Sequence, residues 1–96
     1  SAAMPPAHPM AMLRAESNDA QAALGLLNQF KQQLRGVELL GPVPAPLARI
    51  ANRSRYQLML LAQTRSQLHQ ALNQLQPPKL PHTLRWSIDV DPYDSL

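Results

Sequence analysis

The chain has no cysteine, which excludes disulfides and thiolate metal sites. Rings are scarce, with one Phe, one Trp and two Tyr in 96 residues, and no RNA-recognition-type Gly/aromatic run occurs. Sequence-specific RNA readout by base stacking is therefore not expected. No apolar run reaches the ~18–20 residues that span a bilayer, and no secretory signal is visible. A cytoplasmic protein, or part of one, with no membrane partner is expected. The nucleotide-binding G-x-x-x-x-G-K-[ST], the hydrolase G-x-S-x-G and the zinc-protease H-E-x-x-H are all missing. His8, His69 and His82 lack metal-ligand spacing and read as surface histidines. No catalytic, cofactor or metal residue is expected.

Acid is missing from the middle. Between Glu38 and Asp89 there is none, while Arg49, Arg53, Arg55, Arg65, Lys79 and Arg85 all lie there. Nine Lys/Arg against six Asp/Glu make a mildly basic chain, but this segregation suits an anionic partner such as phosphate or an acidic peptide. A solvated face, its arginines meeting terminal acids, is the plainer alternative.

An apolar fraction of 45% with 16% charged residues fits a folded globule of one domain. Residues 1–8 read as a linker, 9–92 as the domain and 93–96 as a tail. Residues 10–16 alternate like a strand, with Ala11, Leu13 and Ala15 on one side and Met10, Met12 and Arg14 on the other. The segment 17–36 predicts a helix: Ser17, Asn18 and Asp19 offer cap oxygens, Gly36 a left-handed stop. Its stripe is Ala20, Ala23, Leu27, Phe30 and Leu34. A short strand over 37–41 follows, then a proline segment read as a long loop. Residues 53–63 form the strongest strand, with Tyr56, Leu58 and Leu60 inward and Arg55, Gln57 and Met59 outward. A second helix over 64–76 has Thr64 as N-cap, Gln67 completing a capping box, and Pro77-Pro78 as its stop. The last strand, 83–91, turns Leu84, Trp86, Ile88 and Val90 inward and Arg85, Ser87, Asp89 and Asp91 outward.

The order β-α-β-β-α-β predicts an α+β, ferredoxin-like two-layer sandwich: an antiparallel sheet with both helices on one face. Arg14, Arg55, Gln57, Arg85 and Ser87 then project from the uncovered face, beside Met10, Met12 and Met59. Arg49, Arg53 and Arg55 are candidates for phosphate contact. The methionines suit docking against protein. Arg65, with His69 one turn later, suits a carboxylate. Asp89 and Asp91 share a strand face; a solvated edge accounts for them, as does pairing with an arginine across the sheet. The architecture is also that of acylphosphatases and heavy-metal carriers, but neither a phosphate-cradling arginine loop nor C-x-x-C is present.

"GPVPAP", then "ANRSRYQLMLLAQTR", then "WSIDVDP", with "PPAHPMAMLRAE" ahead of them, resemble the C-terminal domain of the bacterial primosomal replication-restart helicase PriA over residues 5 to 92. The family usually has Phe where Ala7 stands, and Arg53-Ser54-Arg55-Tyr56 carries a small residue in its Arg-aromatic-Arg run. The resemblance implies a non-catalytic module of an ATP-dependent 3′-to-5′ helicase whose ATP, magnesium and zinc sites lie upstream. It implies contact with forked or single-stranded DNA, with the helicase lobes and with the acidic tail of single-stranded-DNA-binding protein. In the family an arginine opening the second helix and a glutamine one turn on meet that tail; Arg65 matches the first, and His69, beside Gln70, stands at the second. A purely structural docking module without nucleic-acid contact is the alternative. Either way a monomer is expected in isolation.

Overall fold

A computed structural model describes residues 9–90, apart from the side chains of 47–50. The expected linker 1–8, with His8, the last two residues of the expected domain, Asp91 and Pro92, and the tail 93–96 lie outside the described residues. The element order is β1 (Met10–Ser17), α1 (Ala20–Gln33), β2 (Glu38–Ile50), β3 (Arg53–Leu61), α2 (Arg65–Leu72) and β4 (Leu84–Val90). These strands form one antiparallel sheet in the order β2-β3-β1-β4, with β1 and β3 central. This is the α+β sandwich that the alternating pattern predicts.

Leu13 faces both Leu58 and Ile88 across the ladders, and Ala11 faces Leu60. Ala11, Leu13, Leu58 and Leu60 meet α1 and α2 in one core that includes Ala23, Leu26, Leu27, Phe30, Leu68 and Ala71. Leu13, Leu27, Phe30, Leu58, Leu60 and Leu68 are fully buried, each contributing about 1.5–3 kcal/mol relative to exposure. Trp86 closes the core against Phe30, ring centroids 4.9 Å apart and tilted by 58°, a geometry that the ring quadrupoles favour. Tyr56 packs at the same margin. Both rings belong to the helix layer.

The helices start where their caps direct. Asp19 accepts from the Gln21 amide at 3.0 Å, and the Ser17 hydroxyl accepts from the Asp19 amide at 3.0 Å. The Thr64 hydroxyl accepts from the Gln67 amide at 3.1 Å while Gln67 Oε1 accepts from the Gln63 amide at 3.1 Å. The Gln21 and Gln67 amides so satisfied are among those that the first helical turn leaves orphaned, whereas Gln63 precedes the cap of α2. α2 is shorter than predicted, ending at Leu72 rather than 76. Beyond it Gln74 donates to the Ala71 carbonyl and Leu75 to that of Leu72, tightening the turn. The released segment is then taken up by α1. Gln33 donates to the Gln76 carbonyl and accepts from the Gln76 amide, and Gln74 Oε1 accepts from the Arg35 amide.

The proline segment is a strand, not a loop. β2 runs 13 residues, through Pro42, Pro44 and Pro46 to Ile50. It is an edge strand, where the N–H groups that proline lacks are tolerated, and its register shifts between Leu40 and Val43 and again between Pro44 and Arg49. Ala51 and Asn52, with φ of 50° and 63°, turn the chain directly into β3, and Ile50 pairs with Arg53. Two residues at positive φ match the twist of a hairpin. Five steps along β2 from Pro44 to Arg49 accompany two along β3 from Tyr56 to Ser54, so three residues are surplus and form a bulge.

Candidate nucleic-acid interface

The sheet face opposite the helices is ordered into cross-strand rows by the ladder registers. Arg85, Glu16 and Arg55 form one row across β4, β1 and β3. Ser87, Arg14, Gln57 and Val43 form the next, and Asp89, Met12, Met59 and Leu40 the third. The face thus grades along the strands from cationic to apolar. Neighbouring strands lie about 4.8 Å apart, so Arg55 and Arg85 are rooted roughly 10 Å from each other with Glu16 between them.

Two ion pairs operate here among the described residues. Arg53 Nε donates to Glu16 Oε2 at 3.0 Å, and its Nη2 donates to the Thr83 carbonyl at 2.9 Å and the Glu16 carbonyl at 3.5 Å. Arg14 Nη1 reaches Asp89 Oδ2 at 3.3 Å, a diagonal contact across β1 and β4. Asp89 therefore meets an arginine across the sheet, one of the two readings that its position allowed. Arg55 and Arg85 have no acidic partner among the described residues. Of the three arginines expected at phosphate, Arg55 stands on the open face and Arg53 is held by Glu16 and Thr83. Arg49 sits in β2 opposite Ser54, with its side chain outside the described residues.

The β2 bulge builds a lip over this face. Ala45 and Pro46 line a cleft of about 580 Å³ together with Met12, Arg14, Arg55 and Gln57. Ala45 is buried although it belongs to an edge strand, and Met12 beneath it is only 7% exposed. The methionines are accordingly less open than the alternation implies: Met12 is covered, and Met10 and Met59 are half-buried. Exposed apolar surface comes instead from Leu40, in the strand predicted over 37–41, and Val43, in the segment read as a loop, each 47% exposed, and from Ile88 and Val90, which were read as inward but stand 38% and 39% exposed on the edge strand β4. A second cleft of about 220 Å³, with Arg14, Glu16, Arg55, Arg85 and Ser87 in its walls, adjoins the first and shares Arg14, Arg55 and Ser87 with it. Together they make one trough crossing the sheet from the lip to β4.

Arg65 and His69 lie one turn apart on α2, both exposed, as i and i+4 neighbours. A cavity of about 330 Å³ opens beside the start of this helix, between Val37, Glu38, Leu61 and Gln67. His82 is exposed in the turn before β4. Among the described residues, no three His, Asp or Glu side chains gather as a metal cluster, and no helix is long and apolar enough to cross a membrane.

The sequence matches the family described as primosomal protein N C-terminal domain over residues 1–93. It is 33% identical over 101 aligned residues to the replication restart protein PriA of Haemophilus influenzae, covering 98% of this chain. The chain spans 14% of that relative's length. On a family match across nearly every residue, and a relative aligned along the same span, the chain belongs to the primosomal protein N C-terminal domain family.

Proposed function

We propose that this chain serves as a non-catalytic C-terminal module of a DNA replication-restart helicase, helping to hold forked or single-stranded DNA and the acidic tail of single-stranded-DNA-binding protein. Family membership supports the setting. The observation that carries the DNA part is the row Arg85-Glu16-Arg55, whose two arginines are left by their neighbours to face outward while Glu16 is held by Arg53. Arg49 and Arg55 meet phosphate in this reading, together with Arg85; Arg53 acts by drawing Glu16 away from them. Arg65 and His69 receive a carboxylate-rich tail at the exposed start of α2. ATP, magnesium and zinc are handled elsewhere in the parent protein.

Titration of fluorescent forked DNA at low salt tests the DNA part. Saturable binding is expected, and Arg55→Ala and Arg85→Ala should each lower the slope of log K against log salt by about 0.9. The exposed pair Leu40 and Val43 favours a second reading, a module that docks the helicase lobes and touches no nucleic acid. No binding at high micromolar protein would leave that reading standing alone.

A further inference from the structure

We propose that the trough on the open sheet face seats an unpaired nucleotide of single-stranded DNA, with its phosphate at the arginine end and its base under the Ala45–Pro46 lip. This rests on the DNA-binding reading above and deepens it by naming which part of the DNA is recognised. The cleft beneath the lip, about 580 Å³, falls in the range that holds small organic groups. Its walls divide by chemistry. Pro46 is apolar and exposed, and proline has little side-chain freedom to lose on contact. Gln57 and Ser87 are polar and have no side-chain hydrogen bond among the described residues. A side-chain amide offers both donors and an acceptor to a base edge. Arg55 joins both clefts, and its planar guanidinium can fork onto phosphate or stack on a base.

Duplex DNA does not satisfy this arrangement. Its bases are stacked inside, so a shallow trough would meet phosphates alone and the lip and Gln57 would meet nothing. A single strand supplies both halves, a charge for the arginines and a flat, polar-edged ring for the lip. Glu16 does not oppose this, because Arg53 holds its carboxylate at 3.0 Å.

Anisotropy titrations of this chain with a fluorescent thymidine oligonucleotide, an abasic oligonucleotide of equal length and a blunt duplex test the inference. The abasic strand should bind about fivefold or more weakly than the thymidine strand, the scale of one lost base contact. Gln57→Leu should close that gap, whereas Arg55→Ala should weaken both strands together. Equal binding of the two strands by the unsubstituted chain would overturn the inference while leaving DNA binding intact, and so would a gap that survives Gln57→Leu. No binding of any probe would overturn both readings. The comparison on the unsubstituted chain decides the matter even where a variant fails to fold.

Discussion

Arg53 reaches across β1 to hold the Glu16 carboxylate at 3.0 Å, and the same guanidinium grips the Thr83 carbonyl at 2.9 Å. One side chain on β3 thereby ties the end of β1 to the turn that introduces β4. Three segments distant in sequence are joined at one corner. The two side chains are 27% and 36% exposed, so water screens the attraction only in part.

Arg53→Ala should therefore destabilise the fold by about 1–2 kcal/mol, since hydrogen bonds to a charged group are lost and Thr83 forfeits a partner. Urea denaturation followed by the fluorescence of the single tryptophan, Trp86, measures this. An unchanged midpoint would remove the corner role. The same variant should weaken DNA binding by releasing Glu16 toward Arg55 and Arg85. Adding Glu16→Gln should restore it, and failure to restore would mean that Arg53 itself touches phosphate.

The hairpin between β2 and β3 leaves stability unclaimed. Ala51 sits at φ 50°, where its Cβ is crowded, and the turn holds no glycine. The paired substitutions Ala51→Asn and Asn52→Gly supply the dipeptide that such a turn prefers. A gain of about 1 kcal/mol is expected, from the strain removed at one non-glycine residue. Thermal denaturation would record it as a raised midpoint. A fall would mean that the turn departs from the hairpin geometry.

α2 has eight residues, too few to persist without its caps and its contacts at Leu68 and Ala71. Thr64→Ala removes the acceptor for the Gln67 amide and should cost about 1 kcal/mol. Hydrogen exchange should accelerate across 65–72 more than across α1. Binding of an acidic C-terminal peptide should weaken as Arg65 and His69 lose their fixed spacing. Peptide affinity indifferent to this loss would place the tail site elsewhere.

Alternation and helical stripes carried most of this fold in the sequence. Ala11, Leu13 and Ala15 face inward as their spacing predicts, and Asp19 and Thr64 cap the helices that follow them. The proline segment was illegible because proline is the usual mark of a loop. Its place at the sheet edge, which tolerates missing donors, is fixed only by tertiary pairing. Leu26 and the outward Val43 were missed for related reasons. A stripe drawn at minimal width omits its shoulder, and a strand taken for a loop has no faces to assign. Arg55 was legible as an open-face residue. The engagement of Arg53 was not, because Glu16 and Thr83 lie far from it along the chain. Asn52 was the one local hint of the hairpin, as asparagine tolerates the left-handed region better than most residues.

The lip hangs between two ladder attachments, Pro44 opposite Tyr56 and Arg49 opposite Ser54. Lengthening or shortening the arc between them alters how far it overhangs without moving any core side chain. The overhang above this face can therefore be adjusted like an awning, by adding or removing a residue, while the house behind it keeps its frame.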